Sequence, residues 1–154
     1  SDGAMGLIVN KPAPDIYFEQ LLSQLNIAHS DRSRDIRIHF GGPVEHVRGF
    51  VLHSADYAGH GATLKVSDDF GMTATLDVLQ ELADGDGPAK SLLALGYAGW
   101  GPGQLESEIL SNGWLTCEAS EELVFNGSNN RKWELALRSI GIDPLSLSAT
   151  AGHA

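Results

Sequence analysis

Four of the six histidines, His39, His46, His53 and His60, recur at intervals of seven residues. On one continuous helix that spacing would align their imidazoles, and imidazoles are ready metal ligands. Gly41, Gly42, Pro43, Gly49 and Gly59 fall between them and rule such a helix out. No HxxxH or CxxC pair is present, so neither metal nor cofactor is predicted. His53 precedes Ser54, but neighbours on a strand point to opposite faces and make no nucleophilic dyad. There is no GxSxG elbow. Cys117 sits beside Glu118, whose charge disfavours a thiolate, and reads as an inert, strand-packed thiol. Glu106 and Glu108 are two apart on an expected helix and do not face each other as an acid–base pair. No complete catalytic set emerges, and the reading leans away from an enzyme.

The stretch GYAGWGPGQLE, Gly96 to Glu106, is the strongest local feature. It lacks the lysine and hydroxyl of a phosphate-cradling GxxxxGK[ST] loop, and its third glycine falls one place early for GxGxxG. Glu106 in the first turn of the following helix already answers the positive helix end and would repel a phosphate. Pro102-Gly103 fits the centre of a type II turn. Gly99, Trp100, Gly101, Gly103, Gln104 and Glu106 therefore read as a packed turn, as a ligand pocket wall, or as both. Asn10-Lys11, after a short apolar run, suits either an anion contact or a solvated turn.

These residues need elements to hold them. Met5–Val9 reads as a buried strand running into Asn10-Lys11-Pro12. Asp15 is placed to cap a helix with Phe18, Leu21, Leu22 and Leu25 on one face. DIRIHF alternates Ile36, Ile38 and Phe40 with Arg37 and His39, as a half-buried strand does, and ends on Gly41-Gly42-Pro43. GFVLHS, ATLKVS, MTAT and WLTC read as strands, and SLLALGYA as a central one. Helices are predicted from Thr75 or Asp77 to Gly85, from Gln104 to Ser111 with Leu105 and Ile109 inward, and over RKWELALRSIG. In the last, Trp133, Ala136, Leu137 and Ile140 share a face, and Trp114 and Trp133 are assigned to the core. The expected class is α+β, a single compact domain over 1–154 with a mixed or antiparallel, barrel-like sheet and several packed helices.

A chain of 154 residues is long enough to bury roughly 68–70% of its unfolded surface. Ten basic against twenty acidic residues give a net charge of -10. That disfavours direct DNA binding, which needs clustered cations, and contact with anionic membranes. A single cysteine permits no intrachain disulfide, no run of apolar residues is long enough to span a bilayer, and a cytoplasmic setting is expected.

The motifs GAMGLIVNKP, FGGPV, GFVLHS, LGYAGWGPGQLE with WL after it, and the terminal GHA occur in one order from Gly3 to His153. In this they resemble the YqgE/AlgH family of small bacterial proteins. The resemblance implies a compact α+β fold with barrel-like packing. It brings a genetic association with alginate production and a label of transcriptional regulator, but no established biochemical activity. Its shared positions fall here on Asn10, Lys11, Pro12, Gly41, Gly42, Pro43, His53, Gly96, Gly99, Trp100, Gly101, Gly103, Gln104 and Glu106. Family members usually carry a strand-bearing segment before GAMGL, so this chain is expected to lack that strand. Two functions follow as expectations. One is a regulatory or binding module acting through a protein or small-molecule partner. The alternative is an enzyme whose composite site gathers Asn10-Lys11, Gly41-Gly42-Pro43, His53 as base and Gln104.

Overall fold

A computed structural model describes residues 2–126 and 128–147; the terminal GHA motif lies outside them. At its centre is the strand Ser91–Trp100, here β6. Leu93 and Leu95 of β6 meet one apolar cluster, while Leu92 and Ala94 meet another on the opposite face. That two-sided burial is why SLLALGYA reads as a continuous apolar run. The first cluster is built with the helices Phe18–Gln24 (α1) and Leu76–Ala83 (α2), the second with a π-helical turn at Glu122–Asn126.

The other strands are Ala4–Gly6 (β1), Ile38–Phe40 (β2), Val44–Ser54 (β3), Thr63–Lys65 (β4) and Phe70–Thr73 (β5). The order is β1-β6-β3-β5-β4, with β2 also paired to β6. All pairs are antiparallel except β2 with β6, and the sheet curls into a half-barrel, so the α+β expectation holds. The helices Gln104–Leu110 (α3) and Asn129–Ser139 (α4) complete the fold.

Two backbones cross near the middle of β6 with no room for a side chain. Gly41 donates its N–H to Leu95 O at 2.8 Å and accepts from Ile8 N–H at 2.8 Å. A Cβ on Gly41 would lie 2.3 Å from Gly96 O, and one on Gly42 would lie 2.1 Å from the carbonyl carbon of Tyr97. Gly96 is the reciprocal case, at φ +76 with its would-be Cβ 2.5 Å from Gly42 O. The motifs FGGPV and LGYAG are thus the two halves of one contact.

Several expectations are corrected. The strand expected over Met5–Val9 ends at Gly6, because Ile8 turns its N–H to Gly41. The chain then closes the outer edge of β2: Phe40 N–H donates to Lys11 O, and Ala13 N–H to Ile38 O. α1 begins at Phe18 behind Tyr17 with no side-chain cap, and Asp15 stays exposed. In β2 His39 is buried as well as Ile38, because α4 covers the second face there, while Phe40 at the strand's end opens onto a surface cleft. WLTC forms no strand: both flanks of β6 are already taken, and residues 111–120 are exposed throughout. Cys117 is therefore exposed rather than strand-packed, and Trp114 and Trp133 lie at the surface. α3 buries none of its residues, although Leu105 and Ile109 were expected inside.

In α4, burial takes Leu137 of the expected face together with two polar residues, Asn129 and Lys132. Asn129 bonds His39 Nε2 at 3.1 Å through its amide nitrogen, and Lys132 Nζ donates to Val9 O at 2.7 Å. His39 Nδ1 has no hydrogen bond of good geometry. Burial holds the His39 imidazole below its ordinary pKa of 6.5; the Asn129 contact opposes this, and the nearby Lys132 charge adds to it. Lys132 is likewise held below the usual lysine range, by burial first and the Arg37 charge second.

Two outcomes follow. Gly103 sits at φ +75 with open space around it, so Gly103→Ala meets only the left-handed backbone cost of about 1–2 kcal/mol. Gly42→Ala must move backbone, and is expected to lose about 3 kcal/mol or more, at least about 6–12 °C in Tm. Equal melting losses in the two variants would refute the crossing as the critical contact. The second concerns pH. His39 takes up its proton near 6.5 when unfolded and at lower pH when folded. The stability it contributes is full above about pH 6.5 and is lost as pH falls below that value. One proton gives a slope of at most about 1.4 kcal/mol per pH unit. Urea titrations from pH 7.5 to 5 should show this component in the parent and not in His39→Gln; the same decline in both would exclude His39 as its source.

Candidate functional site

The predicted site residues separate into three places. The first is GYAGWGPGQLE itself. Gly99 and Trp100 end β6, and Gly101–Gln104 form the expected turn, with Gln104 N–H donating to Gly101 O and Gly103 at φ +75, ψ -5. Gln104 Oε1 accepts from Gly101 N–H at 3.0 Å and so braces the same turn. The Trp100 ring lies against Gly6, where a Cβ would come within 3.1 Å of it. It meets Trp114 edge to face, with centroids 5.8 Å apart.

Glu108, which sequence reasoning passed over, ties this assembly together. Its carboxylate accepts from Trp114 Nε1 at 2.7 Å, Trp100 Nε1 at 3.2 Å and Gln104 Nε2 at 3.0 Å. These donors, Trp114 first and then Gln104, hold the Glu108 carboxyl below its ordinary range. Sequence inspection had compared Glu108 with Glu106, whereas the informative spacing was i, i+4 with Gln104. Glu106 is exposed and makes no hydrogen bond or ion pair among the described residues. Trp100 and Gln104 are committed to this clamp.

The second place is the core. His53 is fully buried in β3 and both ring nitrogens are engaged. Nδ1–H donates to Ser54 O at 2.8 Å, so Nε2 accepts from Thr73 Oγ1 at 2.8 Å, and Thr73 Oγ1 in turn accepts from Thr63 at 2.7 Å. The Ser54 hydroxyl points elsewhere, donating to Asp56 at 2.6 Å, and that bond is the first cause of the lowered Asp56 pKa. Serine, histidine and aspartate are close in sequence here but form no relay, since His53 holds the serine carbonyl rather than its hydroxyl. His53 is absent from any loop surface and cannot serve the composite site as its base.

The third place is a cleft of about 390 Å³ lined by Ile8, Lys11, Phe40, Gly42, Pro43 and His46. Lys11, Gly42 and Pro43 are brought together here as the sequence suggested; Asn10 is exposed beside Lys11, and Gly41 lies buried behind Gly42. Ile8, Phe40 and His46 were missed. His46 arrives through a bulge in β3: between Val44 and Gly49, five steps along β3 pass against two along β6. This lifts Glu45–Arg48 outward, with Val47 95% exposed. Lys132, itself 6% exposed, positions the cleft from beneath through its bond to Val9 O. The Lys11 ammonium makes no ion pair among the described residues. Among those residues, no group of three or more His, Cys, Asp or Glu is placed to hold a metal. The arrangement offers a cation and an imidazole above an aromatic ring and an aliphatic wall.

Comparison with known proteins is consistent throughout. The AlgH-like family model matches residues 1–145. A UPF0301 protein of Cereibacter sphaeroides is 61% identical over 153 residues, covering 99% of this chain and 83% of the relative. One of Ruegeria pomeroyi is 58% identical, with coverage of 99% and 83%. The solution structure of the AlgH protein from Pseudomonas aeruginosa superposes with a TM-score of 0.77 at 40% identity, covering 99% of this chain and 80% of that one. A Corynebacterium diphtheriae crystal structure, at 19% identity and a TM-score of 0.70 over 96% of this chain and 76% of its own, shares the fold alone. The motif order, the fold and the identity to these relatives agree, and the chain belongs to the AlgH-like family.

Proposed function

We propose that this AlgH-like chain is a cytoplasmic binding and regulatory module, and that the cleft at Lys11, Phe40, Pro43 and His46 takes a small anionic ligand with a flat apolar body. The observation that carries the reading is the unpaired Lys11 ammonium at an apolar cleft, in a chain whose net charge is -10. An anion is repelled by most of that surface and attracted at this point. Lys11 supplies the charge contact, the exposed Phe40 ring the stacking face, and Ile8 and Pro43 the apolar wall. The floor is rigid because it rests on the Gly42–Tyr97 crossing, so little ordering cost accompanies binding. No helix of the described residues is long and apolar enough to cross a membrane. The same charge balance speaks against duplex DNA as the ligand.

The test is a set of melting curves with benzoate, phenyl phosphate, adenosine monophosphate, inorganic phosphate and a short duplex DNA. A bound aromatic anion at about 100 times its Kd adds about 2.7 kcal/mol, a rise of about 5–10 °C for a chain of this size. Lys11→Ala should abolish the rise and Glu106→Ala should leave it intact. No shift with any aromatic anion, or a shift that survives Lys11→Ala, would overturn the assignment.

A further inference from the structure

Residues 113–117 and α4 enclose a groove of about 300 Å³ whose walls are almost wholly apolar. Trp114 is 48% exposed, Trp133 56% exposed, and Leu115 and Ile140 are also open to solvent. Two half-exposed tryptophans on one groove are unusual on a surface that serves only solubility. Trp114 is also fixed in place, since its indole N–H is held by Glu108 at 2.7 Å. A pre-ordered aromatic anchor loses little freedom when a partner arrives.

Apolar area alone does not name an occupant; the charges at the groove do. A second cleft of about 340 Å³ is lined by the sequence neighbours of this groove, Glu118 next to Cys117 and Leu135 next to Ala136. That cleft is lined by Glu118 and Glu122, which make no ion pair among the described residues. From Gly101 to Asn130 there are five glutamates and no Lys, Arg or His. Lys90, from outside the stretch, meets Glu121 at 3.5 Å, and Glu108 is taken up by the two indoles. Glu118 and Glu122 are left without a paired cation among the described residues, while on α4 Arg138 is taken up by Glu134 and Arg131 is exposed.

We infer that this groove docks a basic amphipathic helix of a partner protein, its apolar face on Trp114, Leu115, Trp133 and Ile140 and its Lys or Arg residues on Glu118 and Glu122. Trp133 to Ile140 is seven steps, about 10 Å of helix, so two turns with apolar residues at i, i+3, i+4 and i+7 match its length. A second copy of this chain is a poor fit, because it would bring another net charge of -10 against the same carboxylates. An anionic membrane is excluded by the same sign.

The probe is an 18-residue fluorescein-labelled peptide of Leu and Lys with Leu at helical spacing, read by anisotropy at low and physiological salt. Its Leu and Glu counterpart is the control. Saturable one-to-one binding of the basic peptide alone is expected. Trp133→Ala should weaken it at least tenfold, and so should the double variant Glu118→Gln, Glu122→Gln, which should also flatten its salt dependence. These side chains are exposed, so the variants should melt with the parent. Lys11→Ala should leave peptide binding unchanged, which separates this surface from the anion cleft. Absence of binding, or equal binding to the Trp133→Ala chain, would overturn the inference, the latter showing attraction by net charge only. Sedimentation of a dimer that Trp133→Ala dissociates would also overturn it and give the groove to a second copy.

Discussion

The structure depends on one steric condition: the backbone of Gly41-Gly42 must pass the backbone of Gly96-Tyr97 at a separation that excludes a Cβ on either side. β2 can then run beside β6 in parallel and still turn directly into β3, which returns on the opposite flank of the same strand. The approach also brings Gly41 O within reach of Ile8, so the chain leaving β1 is drawn across to cover the outer edge of β2. Lys11 and Pro43 become neighbours as a consequence, though they are thirty-two positions apart in the chain. A residue with a side chain at the crossing would separate these strands and scatter the cleft with them.

Polar contacts finish what the crossing begins, and their placement goes against ordinary patterning. Lys132 is a buried cation that donates to a carbonyl rather than to a carboxylate. Burying a charge that way is costly. Its return is positional, since it fixes Val9 immediately ahead of Asn10-Lys11. Glu108 acts similarly at the surface. A loop with no regular structure, residues 112–120, is anchored at its start by Trp114 N–H on Glu108 and by Gly113 N–H donating to Glu108 O at 2.7 Å. One residue of α3 thus holds the loop by both its side chain and its backbone.

Much of the architecture was legible from local pattern. The continuous run in β6 announced a strand covered on both faces, and Pro102-Gly103 announced a type II turn that the dihedrals reproduce. The β4–β5 pair and the helix ended by Gly85 were equally local. The failures share a different cause. Alternation in DIRIHF put Phe40 inside and His39 outside, which is correct for a strand with one wet face and wrong for one enclosed by α4. WLTC has the composition of a strand, but composition does not report whether an edge is free. Trp114 and Trp133 were assigned to the core because large apolar residues usually go there. Of the site, Lys11, Gly42 and Pro43 were grouped through the family resemblance and not through their own local pattern. Lys132 and His46 were not, because each acts through a contact made only when distant segments meet, whereas Glu108 was passed over although its partner Gln104 is four residues away.

α4 links the two exposed surfaces. Lys132 reaches inward to Val9, two residues ahead of Lys11, and the next residue, Trp133, faces outward into the apolar groove. Consecutive residues on a helix diverge by about 100°, so one short segment addresses both places without sharing a side chain. The helix is joined to the segment ahead of Lys11 by a 2.7 Å hydrogen bond. Coupling between sites requires an element that both can bias, and it is reciprocal in binding free energy. α4 holds Val9 by a polar, directional bond, while its outward Trp133 and Ile140 are left open to solvent. A helix docked by a few oriented polar bonds shifts at lower cost than one sealed into a close-packed core.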